Sequence, residues 1–120
     1  MPILFITTNL DKTAVPKNEA ISALSKLAAK LSGKPEAFIS VVINTNATLS
    51  FGGTLEPAAL VEFSNIEGFS VDKSIITELT EEICKNIGVP KNRFFIKFNL
   101  INPNHITYDG KTIAELIKSL

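Results

Sequence analysis

Hydrophobic positions fall in two alternating rhythms along the chain. Pro2 to Thr8 is mostly β-branched or aromatic, which predicts a strand. A turn follows over Asn9-Leu10-Asp11-Lys12. Val15-Pro16 then opens a helical pattern with Pro16 near its start. Ile21, Leu24, Leu27, Ala28 and Leu31 recur at steps of three and four, which places them on one apolar stripe. Gly33 stops that helix and Pro35 prevents its resumption. Phe38 to Ile43 predicts a second strand. The second half repeats the order: a strand over Ala58 to Phe63, and a helix capped by Asp72 with a stripe of Ile75, Ile76, Leu79, Ile83 and Ile87. Gly88 and Pro90 make the stop, and Phe94 to Leu100 forms the last strand.

The halves match at a constant offset of 55: Gly33 with Gly88, Pro35 with Pro90, Ile39 with Phe94, Val41 with Ile96, Ile43 with Phe98, Asn44 with Asn99. This predicts an internal β-α-β repeat. Each β-α-β unit gives parallel strands joined by a right-handed crossover. The expected fold is α/β (α+β): two repeats forming a four-stranded sheet with two helices on one face. The other face stays bare, and an apolar bare face in a small neutral protein predicts self-association.

The chain has 120 residues, 45% of them hydrophobic and 20% charged, which fits one globular domain spanning residues 1–120. Twelve Lys and Arg balance twelve Asp and Glu. No basic excess exists to neutralise a phosphate backbone, so nucleic acid is not an expected partner. One cysteine, Cys84, excludes a disulfide framework and a thiolate zinc cluster. One histidine, His105, leaves no His-pair metal site, so neither metal nor cofactor is expected. No apolar run approaches the ~18 residues of a membrane span, and the N-terminus lacks the basic n-region of a signal peptide. The expected compartment is the cytoplasm.

Pro2 is the first candidate for chemistry. Removal of Met1 would make its nitrogen a secondary amine, a competent general base when its pKa lies near neutrality. Burial or a nearby cation would lower that pKa, because both disfavour the charged form. Gly33-Lys34-Pro35 reads by itself as a helix stop with a solvated lysine; a functional Lys34 would be that cation. Phe51-Gly52-Gly53-Thr54 lacks the Gly-Lys-Ser/Thr ending of a phosphate loop and reads as a turn before a strand. Cys84 lies on a helical stripe as a small core hydrophobe, and His105 sits in a loop.

In combination these residues resemble the macrophage migration inhibitory factor and D-dopachrome tautomerase family. The likeness rests on Pro2 after Met1, Thr8-Asn9-Leu10, Gly33-Lys34-Pro35, Phe51 to Ala58 and Ser64-Asn65-Ile66, in order along almost the whole chain. The resemblance implies a homotrimer whose sheets line a central channel, a trimeric tautomerase-like barrel. It also implies a cofactor-free keto–enol tautomerase acting on phenylpyruvate-like or dopachrome-like substrates. By match, Pro2 is the base, Lys34 holds a substrate carboxylate or stabilises the oxyanion, and the Ile66 backbone amide contacts substrate. The pocket lies between subunits in the family, and Phe95, Lys97, Ile106 and Tyr108 are expected on its second wall. Phe95 and Lys97 stand where the inhibitory factor has Tyr and Asn, a pattern closer to the D-dopachrome branch. Ala58-Ala59-Leu60-Val61 replaces its Cys-x-x-Cys motif, so thiol-disulfide activity is not expected. The alternative reading is a cytokine-like protein, secreted without a signal peptide, that binds a cell-surface receptor with a vestigial pocket. A trimeric scaffold or small-molecule binder is the third.

Overall fold

In the computed structural model, which describes residues 1–118, the strands β1 (Ile3–Thr8), β2 (Ser40–Asn44), β3 (Ala59–Ile66) and β4 (Phe94–Ile101) form one sheet in the order β2-β1-β3-β4. Helices α1 (Lys17–Ser32) and α2 (Lys73–Ile87) supply the two crossovers. β1 runs parallel to β2 and β3 parallel to β4, while β1 and β3 are antiparallel at the centre. The two expected β-α-β units are therefore joined back to back through their first strands.

The repeat extends to its joints. Gly33 and Gly88 both adopt the left-handed conformation, with φ of 68° and 91°. Their N–H groups close the preceding helix on the carbonyls of Ala29 and Cys84, which are themselves 55 apart. A short 3-10 turn follows each proline, at Glu36–Phe38 and Lys91–Arg93. That turn takes Phe38 out of the expected strand, so β2 starts at Ser40. The constant offset does not reach the first strands. Val41 pairs with Leu4 and Ile96 with Val61, so β1 and β3 correspond at an offset of 57.

Alternation within the strands separates two faces. Leu4, Ile6, Val61, Phe63 and Phe94 point inward onto Ala20, Leu24, Leu27 and Ala28 of α1 and Leu79, Ile83 and Ile87 of α2, and all are buried. Ile21 and Ile76, expected on the helical stripes, are exposed; in α1 the inward position next to Ile21 is taken by Ala20. The outer face is bare as expected but is not uniformly apolar. Ile3, Phe5 and Val42 form an apolar side, and Leu60 pairs with Phe95 at one end. Glu62, Ser64, Lys97 and Asn99 make a polar patch between them, with Glu62 opposite Lys97 and Ser64 opposite Asn99. Asn99 Nδ2 donates to Ser64 Oγ at 3.2 Å.

The long connection from β2 to β3 is held from outside itself. Asn9 Nδ2 donates to the carbonyls of Leu49, Leu55 and Glu56, and Asn9 Oδ1 accepts from Ala58 N–H at 2.9 Å. Arg93 binds the carbonyls of Phe51, Glu56 and Pro57 and lies over the Phe51 ring. Within this loop Phe51 and Thr54 exchange two backbone hydrogen bonds of 3.1 Å around Gly52-Gly53. Both glycines have positive φ, the requirement of a tight two-residue turn.

Beyond β4 the chain makes elements that the hydrophobic rhythm does not predict. β5 (Thr107–Tyr108) and β6 (Lys111–Thr112) form a hairpin about Asp109-Gly110, and α3 (Ile113–Lys118) follows. Asp109 and Gly110 have φ of 52° and 79°, so an Asp-Gly turn signal was present in the sequence. Among the described residues no helix is long and apolar enough to cross a membrane.

Candidate active site

The N-terminus is fixed by two strands at once. Ile3 pairs with Ser64 in the antiparallel ladder, and the next step of that register brings Pro2 level with Asn65. On the other side Ser40 N–H donates to the Pro2 carbonyl at 3.2 Å. Pro2 shares the inward-facing parity of Leu4 and Ile6 and is buried. It therefore lies under the helix layer at the end of the sheet, where α1 finishes. Gly33 turns the chain there, and Lys34 N–H donates to the carbonyl of Ala29 at 3.2 Å. The Lys34 backbone is thus locked at the negative end of a helix dipole, a favourable place for an ammonium group.

Two depressions with no lining residue in common lie near this point. One, of about 350 Å³, is lined by Ser32, Lys34, Asn65, Ile66 and Phe69 among others. The second, of about 280 Å³, is lined by Met1, Pro2, Phe38, Ile106 and Tyr108 among others. The Phe38 and Tyr108 rings pack edge to face with centroids 5.2 Å apart, which ties the β5–β6 hairpin to the turn before β2. The terminal amine, carried here by Met1, lies 3.5 Å from Asn65 Oδ1, so it stands between the two depressions. Burial, and secondarily the Lys34 ammonium, push that amine below its ordinary pKa.

Five of the seven expected site residues line one or other of these depressions in a single chain: Lys34 and Ile66 the first, Pro2, Ile106 and Tyr108 the second. Ile106 and Tyr108, expected on the second wall with Phe95 and Lys97, instead flank Pro2 of their own chain. Phe95 and Lys97 are not brought to it. Both point outward from β4, with β3 between them and β1. Phe95 is 67% exposed and packs on Phe51 at 5.1 Å. Lys97 Nζ lies 4.0 Å from the Glu62 carboxylate. The Ile66 N–H, expected to be free for substrate, is engaged by Asn65 Oδ1 at 2.8 Å. Cys84 is half-buried on α2, and burial pushes its thiol up, which leaves it unreactive.

Asn65 is the buried polar residue at this place that sequence reasoning did not single out. It follows Val61 and Phe63 on the inward parity of β3 and is only 2% exposed. An amide at a core-facing strand position was the available signal, since buried polar groups require partners.

Comparison with known proteins follows the same outline. The family model described as macrophage migration inhibitory factor matches residues 1–114. The chain belongs to that family. A macrophage migration inhibitory factor homolog of Trichinella spiralis is 35% identical over 93% of this chain and 99% of its own length. The macrophage migration inhibitory factor of Xenopus tropicalis is 33% identical over 95% of this chain and its full length. The solved structure of the Trichinella spiralis factor superposes with a TM-score of 0.83 at 32% identity, covering 92% of this chain and 98% of the other. For a member of the macrophage migration inhibitory factor family, an activity of the isomerase or tautomerase kind is the supported one.

Proposed function

We propose that this chain is a cofactor-free keto–enol tautomerase of aromatic 2-keto acids such as phenylpyruvate, or of dopachrome-like compounds, with Pro2 as general base. The observation that carries this reading is a half-buried terminal amine, next to buried Pro2, that feels the charge of Lys34. Moving a proton α to a carbonyl needs one base and one positive group at the developing enolate. With Met1 removed, the Pro2 nitrogen takes the α-proton, and the C–H electron pair becomes the enol double bond. The carbonyl π pair moves onto oxygen, Lys34 stabilises that negative charge, and a proton returned to oxygen completes the enol. The apolar wall of Phe38, Ile106 and Tyr108 suits an aromatic side chain.

The working unit in this reading is a homotrimer. Exposed Phe5, Leu60 and Phe95 on the bare sheet face supply apolar surface for it, and Phe95 and Lys97 of a neighbouring subunit complete the pocket. Light scattering at micromolar concentration is expected to give three times the chain mass of 13.0 kDa. A monomer would remove the shared pocket.

The assay that tests the chemistry is turnover of phenylpyruvate and of a dopachrome methyl ester by protein whose N-terminus has been verified by mass spectrometry. Two lysine variants separate the roles. Lys34→Ala will raise KM for acids, by about tenfold or more if a charge-assisted hydrogen bond is lost. It will also move the low-pH limb of kcat/KM to higher pH. The sign follows if Lys34 lowers the Pro2 amine as it lowers the amine carried by Met1: without the like charge the amine holds its proton to a higher pH, and less free base is present at a given acidic pH. Lys97→Ala will raise KM for acids and spare esters, with the limb unmoved. Equal, unchanged kinetics on both substrates would make Lys97 a solvated partner of Glu62 alone.

The relatives' name speaks of inhibiting macrophage migration, an action on cells, and receptor binding beside the chemistry is the second reading it supports. Secretion without a signal peptide belongs to that reading, and a cytoplasmic location to the first.

A further inference from the structure

Resting on the tautomerase reading for its substrate class, we infer that the Asn65 carboxamide, rather than the Ile66 amide, is the neutral hydrogen-bond donor that meets the substrate's anionic oxygen beside Lys34. The backbone supplies the orientation. Ile66 N–H can only donate, so the Asn65 atom 2.8 Å from it is the carbonyl oxygen. The same oxygen faces the terminal amine at 3.5 Å. Nδ2 therefore occupies the other side of the group, and it donates to no residue among the described residues. Asn65 is 2% exposed and lines the same depression as Lys34. No buried side-chain nitrogen or oxygen among the described residues lacks a partner, so Nδ2 carries part of the little exposure the residue has and is open to the depression, where a ligand oxygen would supply the acceptor that the protein does not.

The other polar groups around the depression do not compete for this role. Ser32 Oγ donates to the Ala28 carbonyl at 2.6 Å, so its proton is engaged. Glu67 offers only acceptor oxygens to an anion, and Glu67 and Ser70 are exposed and solvated at the rim. Lys34 and Asn65 remain as a charged and a neutral donor on one cavity wall. A carboxylate or an enolate oxygen is the ligand that accepts from both at once. Asn65 thus has two tasks in one group: its oxygen holds the Ile66 amide and faces the amine, and its nitrogen meets substrate.

The test uses phenylacetate, an aromatic carboxylate, and its methyl ester as probes, with nitrogen-labelled protein of verified N-terminus. The Asn65 side-chain amide protons, assigned by their loss in Asn65→Leu or Asn65→Asp, should move downfield saturably with phenylacetate and much less with the ester. The Ile66 backbone proton should stay near its original position. A downfield shift at Ile66 with Asn65 unmoved overturns the inference, and so does the absence of a shift at both at the highest soluble probe concentration. In turnover, Asn65→Leu should raise KM for phenylpyruvate by about tenfold while changing kcat little. An unchanged KM in a folded variant also overturns it. Binding through Asn65 by protein that does not tautomerise phenylpyruvate would break the tautomerase reading and leave this inference standing.

Discussion

Pro2→Gly will lower kcat/KM for phenylpyruvate by at least tenfold, and by about 10²–10⁴-fold if the whole general-base contribution is lost. The fold should survive. The bond that anchors the N-terminus runs from Ser40 N–H to the carbonyl of residue 2, and glycine keeps that carbonyl. Glycine also keeps a free amine, but a primary one on a chain that can rotate away from the depression. Protein that retains Met1 will be damaged at least as much, because the Pro2 nitrogen is then an amide and has no basic lone pair. The terminal amine of such protein lies beside Asn65, displaced by one residue from where the secondary amine would be. Steady-state kinetics on the two forms, with mass spectrometry and circular dichroism on each, check this. Full activity in Met1-retaining protein would end the role of Pro2 as base.

Phe63→Ala will cost about 3–5 kcal/mol of stability, the usual penalty for emptying an aromatic site in a packed core. Phe63 is 1% exposed on the inner face of β3. Its ring stacks on Phe69 at 5.6 Å and meets Phe98 at 6.1 Å. For a chain of this size the loss corresponds to about 10–20 °C in Tm. Leu55→Ala, at a position 76% exposed, should shift Tm by little, since surface changes of this kind stay within about 0.5 kcal/mol. Phe69 also lines the Lys34 depression, so below its melting point Phe63→Ala should raise KM as the wall loosens. Equal Tm values for the two variants would contradict the packing described for the sheet's inner face.

The rhythm of the chain made the β-α-β-β-α-β order readable, because each element buries one face and each helix ends on a glycine. Asp72 was readable as a cap, and its carboxylate accepts from Ile75 N–H at 2.9 Å. What the rhythm could not carry were contacts made across long separations in sequence. Nothing near Arg93 shows that it will bind three carbonyls of a loop some forty residues earlier. The β5–β6 hairpin is too short to have a period, and only its Asp-Gly turn marks it. In the site, Pro2 and Lys34 could be singled out as a candidate base and a candidate cation, but local chemistry alone favoured a common chain start and a solvated lysine, and the family resemblance carried the functional reading. Placing Ile106 and Tyr108 beside Pro2 of the same chain needed the three-dimensional path of the hairpin. The engagement of Ile66 N–H by its neighbour depends on a side-chain orientation that sequence does not state.

The paired glycine stops divide labour between the halves. Lys34 follows Gly33 and lines a depression, and at the matching place after Gly88 stands Val89, which is 1% exposed and part of the core. The same backbone exit thus places a cation at a depression in one copy and a hydrophobic plug in the other. A repeated unit of this kind can leave a charged depression open in its first half while the matching position of the second half adds to the core. Under the proposed function, sequence drift should accordingly be felt differently at the two exits, as altered catalysis after Gly33 and as altered foldedness after Gly88.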